Sequence, residues 1–274
     1  VLINGIQYGM ARYPDAGTNL KYESHTTVPK TITDTGIGDA INWKGAELVI
    51  NKWDWLLDRC TILNHSGDIF TYADLGSTGE PRDGRYYFIQ NDLKCVTTVN
   101  EWYHNNLTGR FYVYGDPSLK TIKAATLKNI LTLNSCNYII IDGLYLCGSI
   151  LDVIKSIAGG NITIQNCDAE FGGSKGIAIQ SANSNVIGNS IKNCNSDGIY
   201  AESSNVTIND NSILNIGLIP GQIQYGMYTQ GIRTSGAAGN VYNISYNNIQ
   251  NISYNGIGCG SGQYQIMRYN FINY

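Results

Sequence analysis

Downstream of Asn129 one template recurs: an Asn, a short strand of alternating apolar residues, a second Asn, a few polar residues, Gly-Ile, and another short strand. The copies are NYIIIDGL (137–144), NITIQNC (161–167), NVIGNSI (185–191), NVTINDNSI (205–213) and NISYNNI (243–249), and RYNFIN (268–273) closes the series. Aligned on the second Asn, they place Gly143, Asn166, Asn189, Asn211, Asn247 and Asn270 in one column. The steps are roughly 23, 23, 22, 36 and 23 residues, and a fixed period in that range is the signature of a solenoid. The wide step is one repeat plus an insertion, GLIPGQIQYG (217–226).

The apolar residues alternate with polar ones in runs of three to five, which is strand spacing and not the 3.6-residue spacing of a helix. Asn, Gly, Ile, Val and Thr dominate, and helix formers do not occur in blocks. The recurrent Asn tolerates left-handed backbone, and its amide can bond the equivalent residue of the next coil. A stacked Asn column of this kind marks one turn of right-handed parallel β-helices, which residues 129–274 resemble. The expected fold is therefore all-β: a single-stranded right-handed parallel β-helix over 121–274, continuing beyond the last residue. Its core would be a stack of β-branched side chains, with stability roughly additive per coil.

The first half carries all three His and all four Trp and lacks the repeat. Residues 43–73 alternate as two or three strands with an HSGD turn, and 85–115 read as strand, loop, strand, with NNLTG as a hairpin turn. We expect an opening strand over 1–19 that leads into the solenoid and a small antiparallel β domain over 20–120. Asn4, Gly5 and Ala11–Pro14, then Trp43, Gly45 and Ala46, then Phe88, Gln90 and Asn91, then Glu101–Tyr103, Gly109 and Tyr112 follow one another in a characteristic order. In this the chain resembles secreted bacterial β-helix glycoside hydrolases of the α-galactosidase and fucosidase/xylanase type, which insert a β domain between early coils. CVTTVN (95–100) departs from the usual Leu-Asp and Pro-Gly before Glu-Trp-Tyr. The resemblance implies a carbohydrate substrate and a secreted or cell-surface location, with Trp102 and Tyr103 packing the inserted domain.

Ligands of such solenoids lie along the strand stack that follows the longest loops. Here that is the Gly-Ile strand, read as 176–181, 198–203, 226–231 and 256–261, with Ile177, Ile199, Met227 and Ile257 inward. The outward ladder is then Ala178, Tyr200, Tyr228 and Gly258, with Gln180, Glu202, Gln230 and Gly260 beside it. Tyr rings flanked by amides suit a sugar, whose C–H face stacks on the ring while its hydroxyls bond the amides. Loop acids Asp168, Glu170 and Asp197, with Glu202, are the candidate carboxylates for glycoside hydrolysis, which needs two of them roughly 5–9.5 Å apart. Adjacent coils about 4.8 Å apart allow either stereochemistry. The insertion is expected to wall this face.

Two other readings stand beside a hydrolase. A polysaccharide lyase would use Lys175 and Arg233 to neutralise a uronate, with Tyr200 or Tyr228 as acid. A non-catalytic glycan-binding or adhesive module would present the same face with isolated acids. With 14% charged residues and a formal net charge of −3, nothing favours nucleic acid or an anionic membrane. No apolar run approaches the ~18 residues of a membrane span. Seven cysteines without CxxC spacing read as small core hydrophobes and not a metal site. No cofactor is expected; a structural calcium near Asp168 and Glu170 has no supporting motif. His25, His65 and His104 read as solvated turn residues. Both ends look cut within coils, and more chain or another subunit is expected to cover the exposed edges.

Overall fold

The computed structural model describes residues 1–77, 79–223 and 229–273. The chain forms two compact units, residues 1–123 with 219–228, and residues 124–218 with 229–274. No α-helix occurs among the described residues, and none of their helices could cross a membrane.

The second unit is a parallel β-solenoid of six coils, each contributing one strand to each of three faces. The first face runs Leu131–Asn134, the start of Ile154–Gln165, Ile177–Ala182, Asp197–Ala201, Gln230–Thr234 and Asn255–Gly258. The second runs Asn137–Asp142, the end of Ile154–Gln165, Asn185–Ile187, Val206–Asn209, Val241–Ser245 and Tyr264–Arg268. The third runs Tyr145–Ser149, Asp168–Gly172, Ser190–Lys192, Ser212–Ile216, Asn248–Ile252 and Phe271–Asn273. In-register pairing stacks like on like: Ile154, Ile177, Ile199, Ile232 and Ile257 on the first face, and Ile191, Ile213, Ile249 and Ile272 on the third. These stacks form the solenoid core, most of it fully buried. Cys167 and Cys194 sit in it as small hydrophobes, and all seven cysteines are free.

The Gly of each Gly-Ile has a steric reason. A Cβ at Gly198 would stand 2.6 Å from both the Gly231 carbonyl oxygen and Ile213 Cγ2, so the rungs stack only where that carbon is missing. The Asn column is one residue out of step with the sequence alignment in its first two coils. Asn189 Nδ2 donates to Asn211 Oδ1 at 2.9 Å, Asn211 to Asn247 at 2.9 Å, and Asn247 to Asn270 at 2.9 Å. Cys167 opens this column, its N–H donating to Asn189 Oδ1. Gly143 and Asn166 fall one place earlier, where the backbone is left-handed at φ 68° and 52°; Asn166 bonds Asp142 from there.

The first unit is antiparallel. Residues 1–19, expected to lead into the solenoid, instead supply Leu2–Ile3, which pairs antiparallel with Ile122–Lys123, and Arg12–Tyr13, which pairs with Tyr86–Gln90. Glu47–Trp53, Leu56–Ser66 and Ile69–Asp74 form the meander at the centre of its main sheet. Its core is aromatic, with Tyr22, Trp43, Phe70 and Tyr87 all buried. NNLTG turns the hairpin of Trp102–Asn105 with Arg110–Val113. The histidines are not turn residues. His25 lies on Ser24–Thr27 with Asp83 at 2.5 Å, and His104 lies on the Trp102–Asn105 strand. His65 is buried on Leu56–Ser66, stacked on Phe70 at 4.3 Å.

Asp58, Cys60 and Asp74 bring three metal-type ligand atoms within 4.8 Å of one another. Lys52, which has no exposed surface, donates to Asp58 at 2.8 Å and Asp74 at 2.6 Å. The ammonium thus pairs with both carboxylates of the cluster in a buried ion-pair network.

Candidate functional site

The outward ladder of the first face is Lys155, Ala178, Tyr200, Arg233 and Gly258. This corrects the register expected for the fourth coil: Gly231-Ile232, not Gly226-Met227, continues the Gly-Ile series. Arg233 therefore takes the place assigned to Tyr228, and Met227 and Tyr228 lie outside the described residues. The insertion 217–226, expected to wall this face, lies partly outside the described residues.

Two residues before each stacked Ile runs a polar column: Asp152, Lys175, Asp197, Gln230 and Asn255. The Lys175 N–H donates to Asp152 Oδ1 at 3.3 Å, and the Lys175 ammonium lies 3.5 Å from the same carboxylate. One coil on, Asp197 is fully buried, with Oδ2 held by Arg233 Nε at 2.9 Å and Nη2 at 2.8 Å. Its Oδ1 is buried without a hydrogen-bond partner among the described residues. Burial lifts the Asp197 carboxyl to about 6, against the opposing pull of Arg233, Lys175 and, more weakly, the Gln230 backbone N–H. Asp152 and Asp197 are two rungs apart, about 9.6 Å at a rung spacing of about 4.8 Å.

Outside the column stands Tyr200. Arg233 lies over its ring at 4.4 Å and Lys175 at 5.3 Å, so two cations contact one aromatic ring. Burial first, and then the neighbouring Glu202, push the Tyr200 hydroxyl up to about 12. Gln180 Nε2 donates to Glu202 Oε2 at 2.5 Å. Gln230, expected beside Glu202, pairs instead with Asp197 and Asn255. It is buried, and its amide fills the space a Cβ on Gly258 would need. The structure thus brings Lys175, Gln180, Asp197, Tyr200, Glu202, Gln230 and Arg233 onto one sheet.

Asp168 and Glu170 are not with them. Both lie on Asp168–Gly172 of the third face, where Glu170 faces Lys192 at 3.7 Å and Tyr145 at 3.4 Å. They cannot pair with Glu202 in one groove. Nor do Asp197 and Glu202 form a close pair, because five residues of strand place their Cα atoms about 16 Å apart. The carboxylate that does share the column with Asp197 is Asp152. The sequence signal for it was present, since Asp152, Lys175 and Asp197 each precede a stacked Ile by two residues.

A buried acid near 6, a second carboxylate two rungs away, and an aromatic ring with cations, an amide and a carboxylate around it can donate a proton and hold a hydroxylated ring. The same set is poorly suited to proton abstraction by Tyr200, whose hydroxyl stays protonated far above neutral pH.

Among solved structures, a glycoside hydrolase aligns at 11% identity over 98% of this chain and 76% of its own, with a TM-score of 0.54. The tailspike protein gp49 from Pseudomonas phage LKA1 aligns at 9% identity over 92% of this chain and 37% of its own, with a TM-score of 0.36. No curated protein sequence matches the chain. The family description "Right handed beta helix region" matches residues 45–272. Six stacked parallel coils and that match, spanning most of the sequence, lead to one conclusion: the chain belongs to the right-handed β-helix family.

Proposed function

We propose that the protein is a carbohydrate-active β-helix that hydrolyses a glycosidic bond on the first face of its solenoid. The observation that carries this reading is Asp197: a carboxyl held near 6, one oxygen fixed by Arg233 and the other without a partner. Asp197 is the general acid and Asp152 the carboxylate that activates water. Their rungs lie about 9.6 Å apart, near the carboxyl separation of roughly 6.5–9.5 Å that inverting hydrolysis needs. Tyr200 is the platform for a sugar ring, and Glu202 and Gln180 bond its hydroxyls. Arg233 covers Asp197, so the acid becomes reachable when a bound sugar draws the guanidinium outward. Such a protein meets its polysaccharide outside the cell, and secretion is part of the proposal.

The test is a reducing-sugar assay beside a glycan array for the wild type, Asp152→Asn, Asp197→Asn and Glu202→Gln. Loss of either acid should lower turnover by about 10²–10⁴-fold while glycan binding persists. Product release that survives both Asp changes refutes the assignment. A second reading, glycan binding without cleavage, is favoured by the complete burial of Asp197. Binding on the array with no reducing ends released selects it.

A further inference from the structure

The antiparallel unit contains two adjoining cavities of about 400 and 320 Å³, both lined by Arg12 and Pro220. Each lies within the usual range for a small-molecule site, about 300–1,000 Å³. We propose that together they bind a neutral, polyhydroxylated ring, a saccharide unit, in a site that does not depend on the reading of the solenoid face.

Arg12 is the fixed centre. Its Nε donates to the Pro14 carbonyl at 3.0 Å, its Nη2 to Thr18 O and to Asn19 Oδ1, and its guanidinium carbon lies over the Phe88 ring, 3.7 Å from the centroid. Among the described residues nothing accepts from Nη1, which leaves one edge of the fork for a ligand. The smaller cavity adds Asp15 and Glu101, whose carboxylates share the Thr97 hydroxyl at 3.0 and 3.4 Å. The larger adds Tyr86, 55% exposed, and the amide of Asn51. Pro220 belongs to the insertion, whose next residue, Gly221, accepts from Gln90 Nε2 at 2.9 Å. The insertion thus acquires a role within this unit.

The mixture of groups selects the ligand. An anion would meet Asp15 and Glu101, and a cation would meet Arg12. An apolar molecule would strip water from all three without replacing the hydrogen bonds. A sugar hydroxyl both donates and accepts, so one ring can give hydrogens to the carboxylates and take them from the guanidinium. The Tyr86 ring supplies the stacking surface for its C–H face.

The experiment uses the whole chain and an array of neutral galacto-, manno-, xylo- and cello-oligosaccharides. The tightest binder is then titrated calorimetrically against the wild type, Tyr86→Ala, Asp15→Asn and Tyr200→Ala. Tyr86 and Asp15 are exposed, and circular dichroism with thermal midpoints checks that their variants stay folded. Binding should weaken about tenfold or more in Tyr86→Ala and Asp15→Asn, and Tyr200→Ala reports separately on the solenoid face. Absence of any neutral binder, or binding confined to anionic sugars, overturns the proposal. So does affinity unchanged in both Tyr86→Ala and Asp15→Asn. If affinity falls only in Tyr200→Ala, this site is refuted while the solenoid reading stands.

Discussion

The buried Asp197 carboxyl ties the stability of the fold to pH in a direction opposite to that of an ordinary salt-bridged acid. Its pKa rises from 3.8 to about 6, because losing water costs the charged form more than Arg233 and Lys175 return. The folded chain therefore holds this proton more tightly than the unfolded chain. The resulting stabilisation is complete below pH 3.8 and is lost as pH climbs through about 6. At 1.36 kcal/mol per pH unit, the interval between the two values amounts to about 3 kcal/mol. Asp197→Asn keeps the shape and cannot ionise, so it isolates this group from every other titration. Urea unfolding of both proteins from pH 4 to pH 8 should show the variant gaining about 3 kcal/mol on the wild type, mostly between pH 4 and 6. In thermal melts the same gain is on the order of 6–12 °C. The general-acid role adds a kinetic signature, since kcat/KM of the wild type should fall above about pH 6. A difference in stability that stays flat with pH would mean that Asp197 titrates as a solvated acid, and the proposed mechanism would fall with it.

Gly198→Ala forces a carbon against the Gly231 carbonyl and Ile213 and should cost about 1–3 kcal/mol, read as a lower urea midpoint at unchanged slope. Asn211→Ala removes an amide that donates to Val186 O and Asn247 Oδ1 and accepts from Asn189. It leaves those groups buried and should cost about 2–4 kcal/mol. Lys52→Met leaves Asp58 charged and fully buried, for a loss of about 3–5 kcal/mol. The double change Lys52→Met/Asp58→Leu should recover most of it; failure to do so would show that the pair stabilises more than its desolvation costs.

The solenoid was legible because its physical requirements are local and repeated. An amide at a fixed turn, a missing Cβ before each Ile and an alternating strand leave the same trace in every coil. Register within a coil was harder to read. Gly226-Met227 and Gly231-Ile232 both satisfy the pattern, and only pairing with Asp197–Ala201 decides for the second. Asn166 reads as a member of the amide column because left-handed turns and amide stacks both favour Asn, and the two positions are adjacent. Asp168 and Glu170 fall on the third face, which the sequence does not show because a corner residue does not reveal which strand its neighbours join. Asp152 stands in a coil that lacks the full motif, so only its place two residues before Ile154 marks it as the partner of Lys175 and Asp197. In the antiparallel unit, hairpins could be read from turn residues, whereas the ion-pair network around Lys52 joins positions that no periodicity connects.

The 36-residue step between Asn211 and Asn247 bears on how such a chain reaches its native state. Elsewhere each strand finds its partner about 22 residues back, so assembly can begin at any coil and spread to its neighbours like a zipper. Lengthening one closure from 22 to 36 residues adds only about 0.4 kcal/mol of entropy cost, because the penalty grows with the logarithm of length. Loops between coils are thus a nearly free place for such a chain to acquire new surface.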